Sequence, residues 1–474
     1  MGDHIPDAQH LLSPAYRARL LAVLLITSTL SFADRSVFAV TSQVIKQDLK
    51  FSDFELGALQ GLGFALIYAL AAIPISRLAE RNSRVLIIAV SVFVWSAMTA
   101  LTGVAGGFMA LLLARAGVGI GEAGGSAPAI SLISDHYPRP RRAAANAVFL
   151  LGSPAGSLLG ALIGGWVAQR HGWRAAFYTL GAPGLLIALL VFFALREPPR
   201  GLADDAPPPS AAPPSLLQVF RFLIAKPTFV LLLAAASLAA IGMSSVAQFM
   251  VPFLSRTYHL SVREAASFYG WISFLSLSPG LLLGGYLSDW LAKRDQRWHV
   301  WAPAIGVFGA ALFYAAAFGE RRLWGTVAFL LAGGLSLFVY YAPVVALVQN
   351  MATPRMRASA AAIFGLVFST AGPGMGPLLL GRLSDFYAQR AFRAGDFASL
   401  CRGGVSTQQT SGDLAQACAA ASSGGLGQAF LTQLSICFVA SCIFFILSAW
   451  RLRQDVQHPQ PAVPDAARSQ ATAA

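Results

Sequence analysis

Twelve apolar stretches, each about 20 residues or longer, recur along the chain between short polar segments. A helix of that length crosses the hydrocarbon core of a bilayer, and one soluble core could not enclose so many such stretches. Only 12% of the 474 residues are charged, whereas soluble domains carry about 25%. The pattern predicts an all-α membrane protein with twelve transmembrane helices.

The order of the spans predicts two halves of six helices each. The predicted spans are 17–41, 56–79, 84–104, 107–134, 143–168, 173–195, 229–256, 264–290, 299–318, 323–349, 358–387 and 427–450. Residues 197–214 contain a Pro- and Ala-rich run typical of a linker. We therefore expect an N-terminal six-helix bundle (1–196), a cytoplasmic linker with an amphipathic basic segment (197–226), a C-terminal six-helix bundle (227–452) and a disordered tail (453–474).

The basic residues predict the orientation in the membrane. With the N-terminus inside, 20 of the 34 Lys and Arg residues fall in inner segments, twelve fall in outer segments and two lie within spans. Lys and Arg are enriched on the cytoplasmic side of short loops. Both termini are thus expected in the cytoplasm of a bacterial inner membrane. The net charge of +13 is explained by these loops, which argues against a nucleic-acid partner.

Four charged residues lie well inside the predicted spans: Asp34, Arg35, Arg115 and Glu122. Such groups are costly in lipid and persist by pairing or by facing water, so they often mark a transport pathway. Arg115 and Glu122 are seven residues apart and share a helix face with Gly119, which predicts a cavity-lining stripe. Asp34 and Arg35 are successive, so only one of them can face a central cavity directly.

These charges predict a substrate-binding and proton-coupling site. Arg115 stays charged and can hold an anionic group of the substrate through two donors. Glu122 and Asp34 can exchange a proton because burial disfavours a carboxylate charge and an Arg favours it, and Arg35 is expected to brace the first span. Buried structural ion pairs are the alternative interpretation. The site interpretation requires the charges to border an aqueous cavity between the two bundles.

Other polar residues are weaker candidates. The side chains that could line the cavity, or instead form helix–helix hydrogen bonds, are Gln60, Tyr68, Gln248, Tyr340 and Tyr341. Cys401 and Cys418 lie together in the longest loop. They form either a disulfide, if the outer compartment oxidises thiols, or two free thiols.

The loops after the second and eighth spans carry one repeated motif, SRLAERNSR and GYLSDWLAKR. This repeat in a twelve-span plan resembles the major facilitator superfamily over nearly the whole chain, whose loop signature is approximately G-x-x-x-D-R-x-G-R-R. The motif residues are Glu80, Arg81 and Arg84 in the first copy and Gly285, Asp289, Lys293 and Arg294 in the second. The first copy has Ser in place of both signature glycines. The resemblance implies the two-bundle major facilitator fold and a loop that latches one conformation by pairing its acid with a neighbouring helix end and Arg.

Two span sequences narrow the resemblance. FADRSVF in the first span and ARAGVGIGEAGGSAPAISLISDHYP in the fourth are similar to the Spinster family. That similarity implies substrate binding and proton coupling by Asp34, Arg115 and Glu122, and substrates such as sphingosine phosphate, lysophospholipids or sugars. The anion:cation symporter family, which imports organic acids with protons, shares Asp-Arg in the first span and R-x-x-x-G-x-x-E in the fourth. The motifs leave both families open.

The expected function is proton-coupled secondary active transport of a small anionic or amphipathic solute, lysolipid-like or sugar-like, by alternating access. A proton:organic-anion symporter is the alternative. The sequence contains no Walker loop, zinc-ligand spacing or nucleophile elbow, so neither an enzyme nor a cofactor is expected and the proton serves as the coupling ion. The expected partners are a small-molecule substrate and the lipid bilayer, and the chain is expected to act as a monomer.

Overall fold

The computed structural model describes residues 9–203, 216–352, 356–404 and 412–457. Twelve of its helices are long and apolar enough to cross a membrane. They are α1 (Pro14–Leu49), α2 (Asp53–Arg81), α3 (Arg84–Thr102), α4 (Phe108–His136), α5 (Ala144–His171), α6 (Trp173–Ala194), α7 (Pro227–Tyr258), α8 (Val262–Ala292), α9 (Trp298–Gly319), α10 (Leu323–Met351), α11 (Ser359–Ala391) and α12 (Asp413–Leu452). The predicted all-α fold with twelve spans is confirmed.

The first and last spans are longer than predicted. Ser13 caps α1, whose 36 residues end at Leu49 and are followed by the C-cap Lys50 in the left-handed conformation; at 1.5 Å per residue the helix is about 54 Å long. The helix that contains α12 begins at Gly412, well before the predicted residue 427. Its first turns include Cys418 and pack in a small apolar cluster with the preceding loop. Apolar packing outside the lipid therefore extends a helix that hydropathy alone ends at the membrane.

The helices α2 and α11 are each interrupted by a π-helical segment, Leu62–Leu66 and Thr370–Met375. The two segments face each other across the bundles, since a Cβ added at Gly61 would overlap the carbonyl oxygen of Gly374. A π segment locally breaks the α-helical hydrogen-bond ladder. The bundles thus approach each other backbone to backbone where both helices are irregular.

The bundles are joined on one side of the membrane only, as far as the described hydrogen bonds show. An even number of spans places Gln9 and Gln457 on the same side, which we call the terminal face; the other side is the opposite face. Hydrogen bonds between the bundles connect α1 and α2 with α7 and α11, and α5 with α8, all towards the opposite face. The route between the bundles is therefore closed on that side.

A short helix, Leu216–Ile224, lies in the predicted linker. Val219 and Leu223 are fully buried, whereas Leu217 and Ile224 are exposed. The helix thus packs one apolar side on the protein and leaves another apolar side uncovered. The Pro- and Ala-rich run at 204–215 and the predicted tail from residue 458 onward lie outside the described residues.

Candidate functional site

A charged cluster lies between α1 and α4, deep in the N-terminal bundle. Both Nε and Nη2 of Arg35 donate to Oε2 of Glu122 at 2.5 Å. The Glu122 side chain has no exposed surface, whereas 30% of the Arg35 side chain is exposed. The second carboxylate oxygen of Glu122, Oε1, is buried with no hydrogen-bond partner among the described residues. Glu122 therefore keeps one unused acceptor behind a water-accessible Arg.

Asp34 precedes Arg35 on α1 and points about 100° away from it around the helix. Its Oδ2 accepts a hydrogen bond of 3.2 Å from Thr99 on α3, and it lies close enough to Glu122 and Arg115 to interact with both electrostatically. Its Oδ1 is buried and has no partner in the described part of the chain. The two carboxylates thus belong to one electrostatic unit, in which both have an unsatisfied oxygen.

Arg115 is held by aromatic rings. Its guanidinium carbon lies 4.7 Å from the ring centre of Phe38 and 4.9 Å from that of Phe64. The guanidinium of Arg35 also lies 4.9 Å from the Phe64 ring, and 5.3 Å from that of Tyr68. Cation–π contacts stabilise a charge without using its N–H donors. The Nε of Arg115 has no hydrogen-bond partner among the described residues, so this guanidinium can accept an anionic ligand.

The structure changes two expectations about this cluster. Asp34, Arg115 and Glu122 are only 1%, 3% and 2% exposed, although all three were expected to border water; of the four charges, Arg35 alone is partly exposed, with 30% of its side chain. Gly119 does not line a cavity either, because a Cβ there would lie 2.8 Å from the carbonyl oxygen of Phe64. It instead allows α4 to pack against the backbone of α2.

The other predicted polar residues lie in different environments. Gln60 is buried, with neither amide atom bonded to any described residue. Tyr68 faces Arg35 as described, and Gln248 on α7 is half-buried. Tyr340 differs from the expectation, because it is fully buried next to Phe445 rather than lining a cavity. Its neighbour Tyr341 is exposed, and the centre of its ring lies 5.5 Å from that of Phe368.

A second charged site closes the opposite face, and the sequence analysis missed it. Asp53, the first residue of α2, accepts two hydrogen bonds of 2.7 Å from Arg256 on α7. It also accepts bonds of 2.7 Å from Lys46 on α1 and from Ser384 on α11. The side chains of Lys46 and Asp53 are each 2% exposed. One carboxylate thus joins four helices from both bundles.

The same site caps a helix across the bundle interface. The carboxylate of Asp385 on α11 accepts hydrogen bonds from the backbone N–H groups of Asp53 and Phe54, at 3.0 and 2.8 Å. These are orphan donors of the first turn of α2, where a negative charge is favoured. In the sequence all these charges lie near span ends, where ordinary loop charges are expected. We found no signal in the sequence that distinguishes them.

The two loop motifs on the terminal face differ in the burial and the ion pairs of their charged residues. Arg84 is buried and donates to Asp135 at 2.6 Å and to Glu197 at 2.7 Å, so it binds acids from α4 and from the segment after α6. The Glu80 side chain is exposed, and in the second copy Asp289 is 80% exposed with His299 at 3.9 Å. Among the described residues, neither motif acid is paired with an Arg at a helix end in this conformation. Arg81, Lys293 and Arg294 are exposed, while Gly285 is open enough for a Cβ.

The long loop between α11 and α12 is cross-linked. Cys401 and Cys418 form a disulfide, which decides between the two alternatives left by the sequence. Both residues are buried, together with Phe392 and Phe397. The disulfide fastens the loop segment before residue 405 to the start of α12.

Comparisons with known proteins agree with this architecture. The model of the Major Facilitator Superfamily matches residues 24–377. An MFS-type efflux pump of Mycolicibacterium smegmatis is 33% identical over 367 residues, which cover 77% of this chain and 84% of that protein. A sphingosine-1-phosphate transporter of Mus musculus is 26% identical over 386 residues, covering 78% of this chain and 70% of that protein.

A solved structure is similar over almost the whole chain. It is a bacterial homolog of the human lysosomal transporter Spinster, in an inward-facing and unoccupied conformation, with a TM-score of 0.85 and 31% sequence identity. The alignment covers 95% of this chain and 100% of that structure. Of the two families that share the short motifs of α1 and α4, the comparisons thus support the Spinster proteins. The chain belongs to the Major Facilitator Superfamily as a Spinster-like, multi-pass membrane transporter, and it is not an enzyme.

Proposed function

We propose that this protein is a proton-coupled secondary active transporter that moves a small anionic or amphipathic solute, lysolipid-like or sugar-like, by alternating access. The observation that carries the proposal is the set of unpaired buried atoms: Asp34 Oδ1, Glu122 Oε1 and Arg115 Nε. Buried polar groups are normally satisfied, and an exception indicates a missing partner. Protons for the carboxylates and an anion for the guanidinium are the partners that these atoms would take.

The charges of the cluster provide the coupling. Two carboxylates and two guanidinium groups balance when both acids are ionised. Protonation of either acid leaves one net positive charge, which favours the binding of an anionic group at Arg115. Binding of the anion in turn stabilises the protonated state, because linkage between two ligands is reciprocal. Proton and substrate are therefore loaded together.

Arg35 has a larger role in this scheme than the bracing role expected from the sequence. It is the water-accessible member of the cluster and covers Glu122 with two hydrogen bonds. A proton can reach Glu122 when Arg35 leaves that carboxylate. The aromatic rings of Phe32, Phe64 and Tyr68 surround the guanidinium and limit the positions to which it can move.

The proposed transport cycle opens the two faces in turn. The ion network around Asp53 closes the opposite face in this conformation. The excess of Lys and Arg in segments on the terminal face supports a cytoplasmic location for that face in a bacterial inner membrane. The conformation described here is then inward-facing, and substrate exchanges with the cytoplasm through Arg35.

Flux measurements in proteoliposomes test the proposal. A thermal-shift screen with lysophosphatidylcholine, glucose and malate first identifies a solute that stabilises the purified protein. A stabilising organic acid would favour the proton:organic-anion alternative. Uptake of the identified solute is then driven by a pH gradient. Glu122→Gln should abolish proton-driven accumulation and retain part of solute exchange, because the amide cannot carry the proton.

The matched control is Glu320→Gln, which changes a half-buried acid in the loop between α9 and α10 whose carboxylate accepts the backbone N–H groups of Arg321 and Arg322. That variant should accumulate solute as the wild type does. Gradient-driven uptake that survives unchanged in Glu122→Gln would remove this carboxylate from the mechanism.

A further inference from the structure

A cavity of about 750 Å³ opens on the opposite face, outside the ion network around Asp53. One wall consists of residues 46–55 of the N-terminal bundle. The other consists of α11 near Arg382 and Phe386 and of the cross-linked loop near Cys401. Small-molecule sites commonly enclose about 300–1,000 Å³. The cavity thus has the size of a ligand site, and neither bundle forms it alone.

The lining of this cavity has an excess of positive charge. Its four cations are Lys46, Lys50, Arg382 and Arg402, and its two carboxylates are Glu55 and Asp385. Both carboxylates already have partners: Glu55 closes the N-cap of α2 with Ser52, and Asp385 accepts the two backbone N–H groups described above. Three of the cations have no hydrogen bond or ion pair to a described residue. These are Lys50, Arg382 and Arg402.

The acid next to the lining residue Phe397 is Asp396, and its carboxylate already accepts the backbone N–H of Ser399. Residues 405–411, which lie between Cys401 and Cys418 in the sequence and are not described, read VSTQQTS and contain no charged residue. The deepest cation, Lys46, is 2% exposed and is bound to Asp53. Its aliphatic end lies under the loop, since a Cβ added at Gly404 would be 3.6 Å from its Cε. The floor of the cavity is therefore neutralised, and the cationic excess lies at the rim, at Lys50, Arg382 and Arg402.

Apolar side chains complete the lining. Phe51 and Phe397 are buried, and Phe54 and Phe386 are exposed towards solvent or lipid. Cationic groups hold a phosphate or a carboxylate through charge-assisted hydrogen bonds, and aromatic faces favour an alkyl chain. The combination matches an anion with a short apolar chain better than it matches an inorganic ion alone.

We propose that this cavity binds an amphipathic phosphate or carboxylate on the opposite face, at a site separate from the central cluster. Because one wall belongs to each bundle, the ligand contacts both walls only while the opposite face is closed. A ligand shifts a conformational equilibrium towards the state that it binds better. The bound anion therefore holds the transporter closed on the opposite face and slows its cycle.

Binding of octyl phosphate to the purified full-length protein tests this site, measured by calorimetry and by thermal shift. Inorganic phosphate and an anionic lipid in nanodiscs are run in parallel to separate a free anion from a lipid headgroup. Octyl glucoside supplies the same chain without the charge. Octyl phosphate should bind, and octyl glucoside at the same concentration should not stabilise the protein.

Matched variants locate the bound anion. Arg382→Ala combined with Arg402→Ala should weaken octyl phosphate binding at least about 100-fold, since each of the two charge-assisted hydrogen bonds contributes about 1.5–3 kcal/mol. Arg390→Ala combined with Arg393→Ala removes two cations from the same region that do not line the cavity. This control pair should bind like the wild type, and Arg115→Gln, at the central cluster, should keep the binding that the Arg382 and Arg402 substitutions remove.

The disulfide provides an independent test of the same wall. Replacement of Cys401 and Cys418 by Ser should weaken binding, because the loop is no longer fastened over Lys46. Replacement of the free cysteines Cys437 and Cys442 should have no effect. Absence of octyl phosphate binding, equal loss in the two arginine pairs, or loss of all binding in Arg115→Gln would each overturn the proposal. None of these results depends on whether the central cluster carries protons.

Discussion

Asp53→Asn should release the opposite face. The Asp53 carboxylate accepts hydrogen bonds from Lys46, Arg256 and Ser384, and it is 2% exposed. An amide of the same size keeps the packing but removes the charge that both cations share. Lys46 and Arg256 would then be buried next to each other without the carboxylate that both bind.

The size of the effect follows from the burial. Removal of one partner from a buried ion pair costs about 3–5 kcal/mol, because the remaining charge stays desolvated. In the opposite-face-open form the same groups become hydrated, so most of this cost is confined to the closed form. A shift of about 3 kcal/mol changes the equilibrium roughly 100-fold. An open form populated at about 1% in the wild type would thus reach about half of the molecules in the variant.

Double electron–electron resonance can measure this shift with spin labels at Gln47 on α1 and Arg390 on α11, which are exposed residues of different bundles. The distance between the two labels should lengthen in Asp53→Asn. It should return towards the wild-type value when Lys46→Met is added, since the double variant removes the unpaired charge. Asp48→Asn is the matched control. Asp48 forms an ion pair with Arg174 within one bundle, and the two side chains are 44% and 43% exposed. Loss of this ion pair should therefore cost less than about 1 kcal/mol. Identical distance distributions in wild type and Asp53→Asn would refute the assignment of this network as the closing contact.

Two further substitutions test the packing and the terminal-face network. Gly61→Ala adds a Cβ that overlaps the backbone of α11, so the same spin-label pair should report more of the open form; Gly424→Ala, where the added Cβ meets nothing within 4 Å, should leave the distances unchanged. Arg84→Gln leaves two carboxylates without their buried cation and should lower the free energy of unfolding by about 3–5 kcal/mol, measured by denaturant or thermal unfolding in detergent. Arg77→Gln, at an exposed position of α2, should stay within about 0.5 kcal/mol of the wild type, and an equal loss in both arginine variants would contradict the importance of burial.

The spans were predictable because the bilayer imposes one strong requirement on every crossing segment. Each segment must satisfy its backbone internally and present apolar side chains, and both properties are visible in local sequence. The intramembrane charges were identified for the same reason, since Asp34, Arg35, Arg115 and Glu122 stand out against apolar neighbours. Their pairing was less predictable. Helical spacing relates Arg115 to Glu122, but the partner of Glu122 is Arg35, 87 positions away.

The opposite-face network shows what local sequence leaves out. Asp53 and Arg256 are 203 positions apart, and Asp53 and Ser384 are 331 positions apart. Each lies near a span end, where a charge or a hydroxyl is ordinary. Their burial results from the approach of two bundles, which depends on contacts along whole helices. The left-handed residue Lys50, which ends α1 and starts the turn into α2, likewise has no marker in the sequence.

The position of Phe64 links the two charged sites mechanically. Its ring lies between the guanidinium groups of Arg35 and Arg115, and its backbone belongs to the π segment of α2. That segment begins directly after Gly61, which touches α11 with no side chain between the two backbones. A sliding motion of α11 along α2 is thus transmitted to the ring without a compressible layer. Departure of the C-terminal bundle removes that backbone contact, and under the proposed mechanism the spacing of the two cations around the ring then changes.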